Sequence, residues 1–536
     1  MKNTLSLGML TCLLVVLPCL VSATDMQAGS EVSRTSPQTA PRWKLDAFPV
    51  RSAVSLSYRD MALQRLLRMQ QYNAMPHAKA TQIGIGRELS AEGVARTTPS
   101  LRWIALRDGG SVARLHVTSP DAVALRVGLQ VNRLHPQVEL RFGGSARAAD
   151  VITSVTAAEA QRFADAQGMY WSPATDGATQ IIEVYRPAHV TAMQAAVQAP
   201  QASHLMADST TGFKIIRKVG ESESCNFDTV CRVNELGPAY VDAKNAVAHM
   251  VFNVYNTAGG IQASYLCTGT LLNDTSPATQ VPWFFSADHC FAGGEDGVPL
   301  QDRAKVAASL NTYWGYENST CRGALDAVKG APLTGGADLM FHDVATDAML
   351  LRLRKSPPAS ATFAGWDASP LAASSPVIAI HHPAGDAKKV SQGRQASVSG
   401  YPNSHAVAWL TGSTERGSSG SGLFTIYRDG SYRLRGGLHQ GSATCANSGS
   451  VATPGNRDLY SRLDLVFPQI KQWIAADPVR ENTSQPLVRS AGAVAQGQGA
   501  RTSPATPATV PATATIPAVR ERPGQATPLR AGTLER

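Results

Sequence analysis

Short runs in which apolar and polar residues alternate fill residues 101–142, among them Ala122-Val123-Ala124-Leu125-Arg126-Val127-Gly128-Leu129 and Val138-Glu139-Leu140-Arg141-Phe142. A period of two is that of a strand with one buried face, so the pattern predicts a small β-rich region. Just upstream, Met61, Leu63, Leu66, Leu67 and Met69 recur at helical spacing and predict a helix over 59–72. Residues 24–42 are polar and predict no regular structure. Further along, the apolar runs 246–254 and 263–272 flank Gly259-Gly260, the pattern of a β-hairpin. Many short runs separated by Gly, Pro and Asn follow, as in an all-β barrel domain. Helical spacing returns at Phe467, Ile470, Trp473 and Ile474, with Pro468 in the first turn and Pro478 just beyond. That predicts a terminal helix docked on the barrel. Residues 479–536 are rich in Pro, Ala, Thr, Gly and Arg, bury too little to fold, and predict a disordered tail.

Composition narrows the class. A chain of 536 residues exceeds one ordinary domain, and its 43% hydrophobic content allows substantial cores. The formal charge of +9 is modest, and the basic residues are spread along the chain, which argues against a nucleic-acid partner. Residues 1–23 carry Lys2, an apolar core over 5–20 and the end Val21-Ser22-Ala23, the form of an export signal cut after Ala23. Pro18 before Cys19 argues against lipid attachment, and no later stretch is apolar enough to span a bilayer. A secreted, extracellular protein is expected, exported directly or by way of a periplasm. Six cysteines remain after the signal: Cys225, Cys231, Cys267, Cys290, Cys321 and Cys445. An even set in an exported chain predicts three disulfides, with about 15 pairings open. No Cys-x-x-Cys pair or nucleotide motif is present, so neither a metal nor another cofactor is expected.

The chemistry centres on Gly417-Ser418-Ser419-Gly420-Ser421-Gly422, which runs into Leu423 and Phe424. Glycines on both sides permit a tight turn in which two amides point at one spot. Ser419 would be a nucleophile, with the N–H groups of Gly417 and Ser419 as its oxyanion hole. A flexible Gly/Ser loop would read the same way in isolation. Upstream, Trp283-Phe284-Phe285-Ser286-Ala287-Asp288-His289-Cys290 is an apolar strand ending in a histidine beside a cysteine, which suits His289 as the general base. A buried acid should orient that ring. Asp347 leads directly into Ala348-Met349-Leu350-Leu351-Arg352-Leu353, whereas its rivals Asp338 and Asp343 lead into no such run. Asp288 would point the wrong way if the strand alternates. The order His, Asp, Ser is that of chymotrypsin-like enzymes.

With these motifs in place, the chain resembles the secreted bacterial lysyl endopeptidases, a branch of the chymotrypsin-like serine proteases. The matching pieces are Ser224-Cys225-Asn226 with Val230-Cys231, Ser286-Ala287-Asp288-His289-Cys290, Asn318-Ser319-Thr320-Cys321-Arg322, Asp347 with its Leu-Leu-x-Leu run, Ile380-His381-His382-Pro383, Gly417-Ser418-Ser419-Gly420-Ser421, and Leu438-His439. They span roughly 220–475. The resemblance implies an all-β fold: a chymotrypsin-like double β-barrel over 219–478 with a C-terminal helix. A β-rich (α+β) pro-region over 24–218 would precede it, and the tail 479–536 would follow. It also implies the pairs Cys225–Cys445, Cys231–Cys321 and Cys267–Cys290.

Specificity rests on the same likeness. The trypsin pocket acid lies six residues before the nucleophile, where this chain has Ser413, which alone would favour an apolar side chain. Lysyl endopeptidases supply the acid from beyond the nucleophile, and Asp458 matches it; the alternative is a surface Asp paired with Arg457 or Arg462. Trp409 and His439 match a Trp/His pair that flanks the site in the family. Cleavage after lysine rather than arginine comes from the resemblance, since one carboxylate does not choose between them.

Two departures stand out. Gly422 replaces a usual Pro and predicts a more flexible start to the next strand. Ser418 replaces the Asp of trypsin-like zymogens, so a freed N-terminus has no such partner. Residues 24–218 are therefore expected to act as folding aid and inhibitor, released by cleavage after Lys218 in Lys214-Ile215-Ile216-Arg217-Lys218-Val219-Gly220. Expected partners are protein and peptide substrates and the chain's own pro-region, with no nucleic acid, no membrane and a monomeric enzyme. The competing readings are trypsin-like cleavage after both Arg and Lys, an inactive protease fold serving as a binding module, and an adhesive N-terminal region that stays attached. The intact set His289, Asp347 and Ser419 argues against an inactive fold.

Overall fold

The two runs around Gly259-Gly260 form the strands Val247–Tyr255 and Ile261–Leu272, paired antiparallel from Val247↔Thr270 to Tyr255↔Ile261. They belong to a computed structural model that describes residues 26–37, 39–74, 80–92, 97–207, 221–294, 298–323 and 332–475. The expected export signal, the basic junction and the C-terminal tail lie outside the described residues. Ile261–Leu272 also pairs with Trp283–Ala287, which pairs with Ala348–Leu353, which pairs with Ala337–Asp343. Alternate residues of these strands, including Phe252, Leu271, Phe284, Met349 and Leu351, fill a first barrel core with Phe291.

The second barrel closes on itself. Going round it, Pro376–His381, Lys389–Ala396, Ser404–Thr411, Asp458–Ser461, Tyr432–Gly441 and Gly422–Ile426 each pair with the next, and the last returns to the first. Closure leaves no free sheet edge. The helix Leu463–Ile474 buries Leu463, Val466, Phe467, Ile470 and Ile474 in the seam between the barrels, against Trp366, Phe285, Leu350 and Ile380. This is the all-β, chymotrypsin-like double barrel expected. One detail differs: the helix starts a turn earlier than its sequence pattern predicts, so Pro468 sits in the second turn rather than the first. Its missing N–H costs a hydrogen bond, which the five buried apolar side chains offset.

Three disulfides join Cys225 to Cys445, Cys231 to Cys321 and Cys267 to Cys290, the pairs that the resemblance implies.

Residues 39–207 are built mainly of two sheets facing one core. One sheet holds Val54–Ser57, Ser111–Thr118, Thr179–Arg186, Glu139–Gly144 and Thr153–Thr156. The other holds Met169–Trp171, Ala124–Gln130, Gln198–Leu205 and Thr81–Glu88. Leu115, Leu140, Phe142 and Val184 from the first meet Leu125, Val127, Leu129 and Ala202 from the second. The predicted helix is Leu63–Ala74.

That second sheet does not end within the region. Thr81–Glu88 pairs with the barrel strand Ile261–Leu272, from Ala263↔Ile85 to Leu266↔Thr81, so one sheet runs from the N-terminal region into the first barrel. Gly86 allows the approach, since a Cβ there would lie 2.1 Å from the Ile261 carbonyl oxygen. Arg126, fully buried, crosses the join: its Nε donates to Ser172 O (3.2 Å), Nη1 to Asn253 Oδ1 (3.4 Å) and Nη2 to Ser309 O (2.7 Å). Residues 26–37 overturn the expectation of an unstructured segment. Gln27–Ala28 pairs with Gly365–Asp367 and Glu31–Val32 with Thr362–Phe363. Two-residue pairings made through the backbone leave no periodicity to read.

Candidate active site

His289 follows the strand Trp283–Ala287 and opens a short helical turn, His289–Ala292. Asp347 stands just ahead of the strand Ala348–Leu353 with φ +58°, a left-handed conformation that Asp tolerates better than most residues. Because these two strands pair with Ala287 opposite Ala348, the residues flanking them come together. Asp347 Oδ2 lies 2.7 Å from His289 Nδ1, and Oδ1 accepts the His289 backbone N–H at 2.8 Å. Burial acts to raise the Asp347 carboxyl. The His289 charge and hydrogen bonds, with the His439 charge, outweigh it and leave the group below the usual carboxylate range. The rival acids are engaged elsewhere, Asp338 with Arg352 and Arg354 and Asp343 with Thr346. Asp288 is buried against Arg303.

The turn that carries Ser419 packs against the strands around this histidine. Its carbonyl accepts the Thr268 N–H at 2.8 Å, and Thr268 adjoins Cys267, whose disulfide partner Cys290 is the residue after His289. A Cβ on Gly420, where φ is +79°, would lie 2.1 Å from Ser286 Oγ, so only glycine lets the turn close against the histidine strand. Gly417 has φ +86°. The Gly417 and Ser419 amides belong to peptide units whose carbonyls are already held: Arg416 O accepts the Ala384 N–H at 2.6 Å, and Ser418 O accepts the Ser421 N–H at 2.9 Å. In a trans peptide the N–H points away from the C=O, so these bonds fix where both amides aim. Nε2 of His289, buried, has no hydrogen-bond partner among the described residues. Cys267, His289 and Cys290 are also grouped closely enough to be considered as metal ligands, but the two sulfurs are bonded to each other.

Asp458 lies on the second barrel and is 1% exposed. Its Oδ2 accepts the Trp409 indole N–H at 2.6 Å and the Thr414 Oγ1–H at 2.7 Å, while Oδ1 accepts the Ala443 N–H at 3.3 Å. Burial pushes its carboxyl up to about 6 against those donors. Arg462 pairs with Asp464 and Arg457 bonds to backbone carbonyls, so the surface alternative is not what the fold builds. Ser413 is fully buried at the adjoining wall. Trp409 and His439 take separate places. The Trp409 ring packs on Tyr460 with its N–H on Asp458, whereas the His439 ring sits 6.1 Å from that of His289 and its Nε2 lies 3.9 Å from Asp347 Oδ2. Gly422 is held by packing rather than loosened: a Cβ there would meet Phe424, Thr270 and Leu434 at under 3 Å.

Sequence reasoning passed over Thr414, whose only signal is its place beside Ser413. It also passed over Glu415 and Arg416. Glu415, pushed up to about 7 chiefly by burial, accepts the Glu223 N–H at 2.8 Å and Asn226 Nδ2 at 2.6 Å. Arg416 donates to the carbonyls of Tyr72 and Asn73 at the end of the N-terminal helix.

The lysyl endopeptidase C-terminal domain matches residues 219–461, and the lysyl endopeptidase N-terminal domain matches residues 57–206. A lysyl endopeptidase of Pseudomonas aeruginosa is 35% identical over 405 residues, covering 74% of this chain and 81% of that one. Among solved structures, an M. tuberculosis protease in its active form matches at 15% identity with TM-score 0.26, over 44% of this chain and 82% of that one. Its inactive Ser-to-Ala form matches at 14% and the same TM-score, over 45% and 92%. Likeness at that level is too distant to carry an argument.

Proposed function

Since the chain belongs to the lysyl endopeptidase family and is a serine endopeptidase, we propose that it cleaves on the carboxyl side of lysine through His289, Asp347 and Ser419. In this reading Ser419 Oγ attacks the scissile carbonyl carbon as its proton passes to His289 Nε2, and the oxyanion forms between the Gly417 and Ser419 amides. The imidazolium then protonates the leaving amine. Water, activated by the same nitrogen, hydrolyses the acyl-enzyme. Asp347 stays ionised, holds the proton on Nδ1 and faces the charge that forms on the ring.

The observation that supports lysine is the state of the Asp458 carboxylate. Two neutral donors already occupy Oδ2, while Oδ1 takes only the longer Ala443 N–H bond and keeps acceptor capacity for a ligand. An ammonium is a point charge and needs one acceptor, whereas a guanidinium is best met by two oxygens in a fork. Matched peptides differing only at P1 test the reading, with Ser419→Ala as control. Cleavage at Lys alone, lost in the variant, is expected. Equal cleavage at Lys and Arg would retain the nucleophile and reject the pocket argument, and cleavage at Leu would remove Asp458 from the pocket.

The N-terminal region is read as folding aid and inhibitor of the same enzyme, released after Lys218. In support, its strand Thr81–Glu88 extends the first barrel's sheet, and the end of its helix touches Arg416, next to Gly417. Three disulfides suit an oxidising, extracellular setting.

A further inference from the structure

Ser418 is fully buried beneath the turn that carries Ser419, in the place where trypsin-like zymogens have an Asp. Its Oγ lies 2.8 Å from Nδ1 of His381, whose Nε2 lies 3.0 Å from Ser391 Oγ. Ser391 Oγ donates to the Ser413 carbonyl at 2.9 Å. The protons along this chain can be assigned. Ser391 has one hydroxyl proton, directed at Ser413 O, so it accepts from His381 and the ring carries its proton on Nε2. Nδ1 is then an acceptor and takes the Ser418 hydroxyl proton. Ser418 Oγ in turn accepts the Glu415 N–H at 3.3 Å. Each bond has one donor and one acceptor, and His381, Ser391, Ser413 and Ser418 are all fully buried.

We propose that His381, as a neutral imidazole, is the positioning residue that holds the oxyanion turn in its working shape. One end of the relay fixes Ser418, whose carbonyl-bearing peptide contains the Ser419 amide. The other fixes Ser413, beside Thr414 and its bond to Asp458. The Ser391–Ser413 bond anchors the far end of the ring, and Asp458 keeps its own donors, Trp409 and Thr414, whichever link of the relay is cut. Burial first, and the Lys389 charge second, push His381 down to about 3, which keeps the neutral form that the relay needs. The turn then waits for no freed amino group. Activation consists of uncovering a site that is already shaped.

The inference rests on Ser419 as the nucleophile, which loss of activity in Ser419→Ala checks separately. The test compares two ligands on the secreted enzyme and on Ser418→Ala, Ser391→Ala and His381→Phe. Butylamine fills the pocket alone, and a peptidyl lysinal adds the serine oxygen to its aldehyde carbon and places an oxyanion in the hole. The expected result is a loss of about 10- to 100-fold in kcat and in lysinal affinity, with KM and butylamine affinity within about 2-fold. The double variant His381→Phe/Ser418→Ala should lose no more than the worse single variant, because both remove the His381–Ser418 bond. If His381→Phe fails to fold, the two serine variants carry the test. Equal weakening of both ligands, unchanged lysinal binding, or additive losses in the double variant would each overturn the proposal.

Discussion

Trp409 aims its indole N–H at Oδ2 of Asp458 from 2.6 Å, and both side chains are closed to solvent. Burying a carboxylate is costly unless donors surround it. Here the donors are neutral, so the negative charge is stabilised only in part. The remaining deficit appears as a carboxyl pushed up to about 6 by burial.

Binding of a cationic side chain should therefore weaken on acidification. As pH falls through about 6, Asp458 takes up a proton and the pocket loses its charge. Butylamine stays protonated throughout, so its inhibition constant reports Asp458. It should be flat above about pH 7 and weaken by up to ~10-fold for each unit below about 6.

Asp458→Asn should abolish cleavage after lysine and stabilise the free enzyme at neutral pH. The folded carboxyl titrates at about 6 and the unfolded one near its ordinary 3.8, so the folded state binds more protons between them. The native carboxyl thus costs stability as pH rises, up to about 3 kcal/mol at pH 8 for a shift of about two units. Urea unfolding should show the variant's gain at pH 8, and none of it below about pH 4.

Thr414→Val removes one of the two donors on Oδ2 and frees that oxygen for a second contact. The preference for Lys over Arg, measured as a ratio of kcat/KM on matched peptides, should fall by about 10-fold. An unchanged ratio would mean that depth rather than acceptor count makes the choice.

Arg126→Ala should act on production and not on catalysis. It leaves the Ser309 and Ser172 carbonyls without their buried donor, while Asn253 Oδ1 keeps Ser264 Oγ, a loss of about 3 kcal/mol at the join between the N-terminal region and the barrel. Secreted activity should drop steeply, while whatever mature enzyme is released keeps its kcat/KM. Equal secretion would remove this contact from the folding-aid reading.

The residues around Ser419, His289 and Asp347 were legible because each brings its own local pattern, a tight glycine turn or an apolar strand that ends in a functional group. Thr414 and His381 were not, because their roles exist only where separate strands of the second barrel meet. The one hint was Ser418, a hydroxyl where a charge was expected, which asked for a different partner without naming it. Residues 26–37 were hidden for another reason: pairing through backbone groups is indifferent to side-chain pattern. The terminal helix was found but started late, since Leu463 and Val466 already belong to the face that ends at Ile474.

The Cys225–Cys445 disulfide encloses 220 residues of sequence, and it bears on how such an enzyme survives its own kind at high concentration. Within that span the lysines are Lys244, Lys305, Lys329, Lys355, Lys388 and Lys389. Lys244, Lys388 and Lys389 are buried, and Lys305 is tethered by its Nζ to the Gly259 carbonyl at 2.8 Å. If cleavage follows lysine as proposed, four of these six positions are buried or tethered against a neighbouring molecule. Where it does cut, both pieces stay joined through sulfur, so a nicked molecule would keep its parts together and show its scar only after reduction.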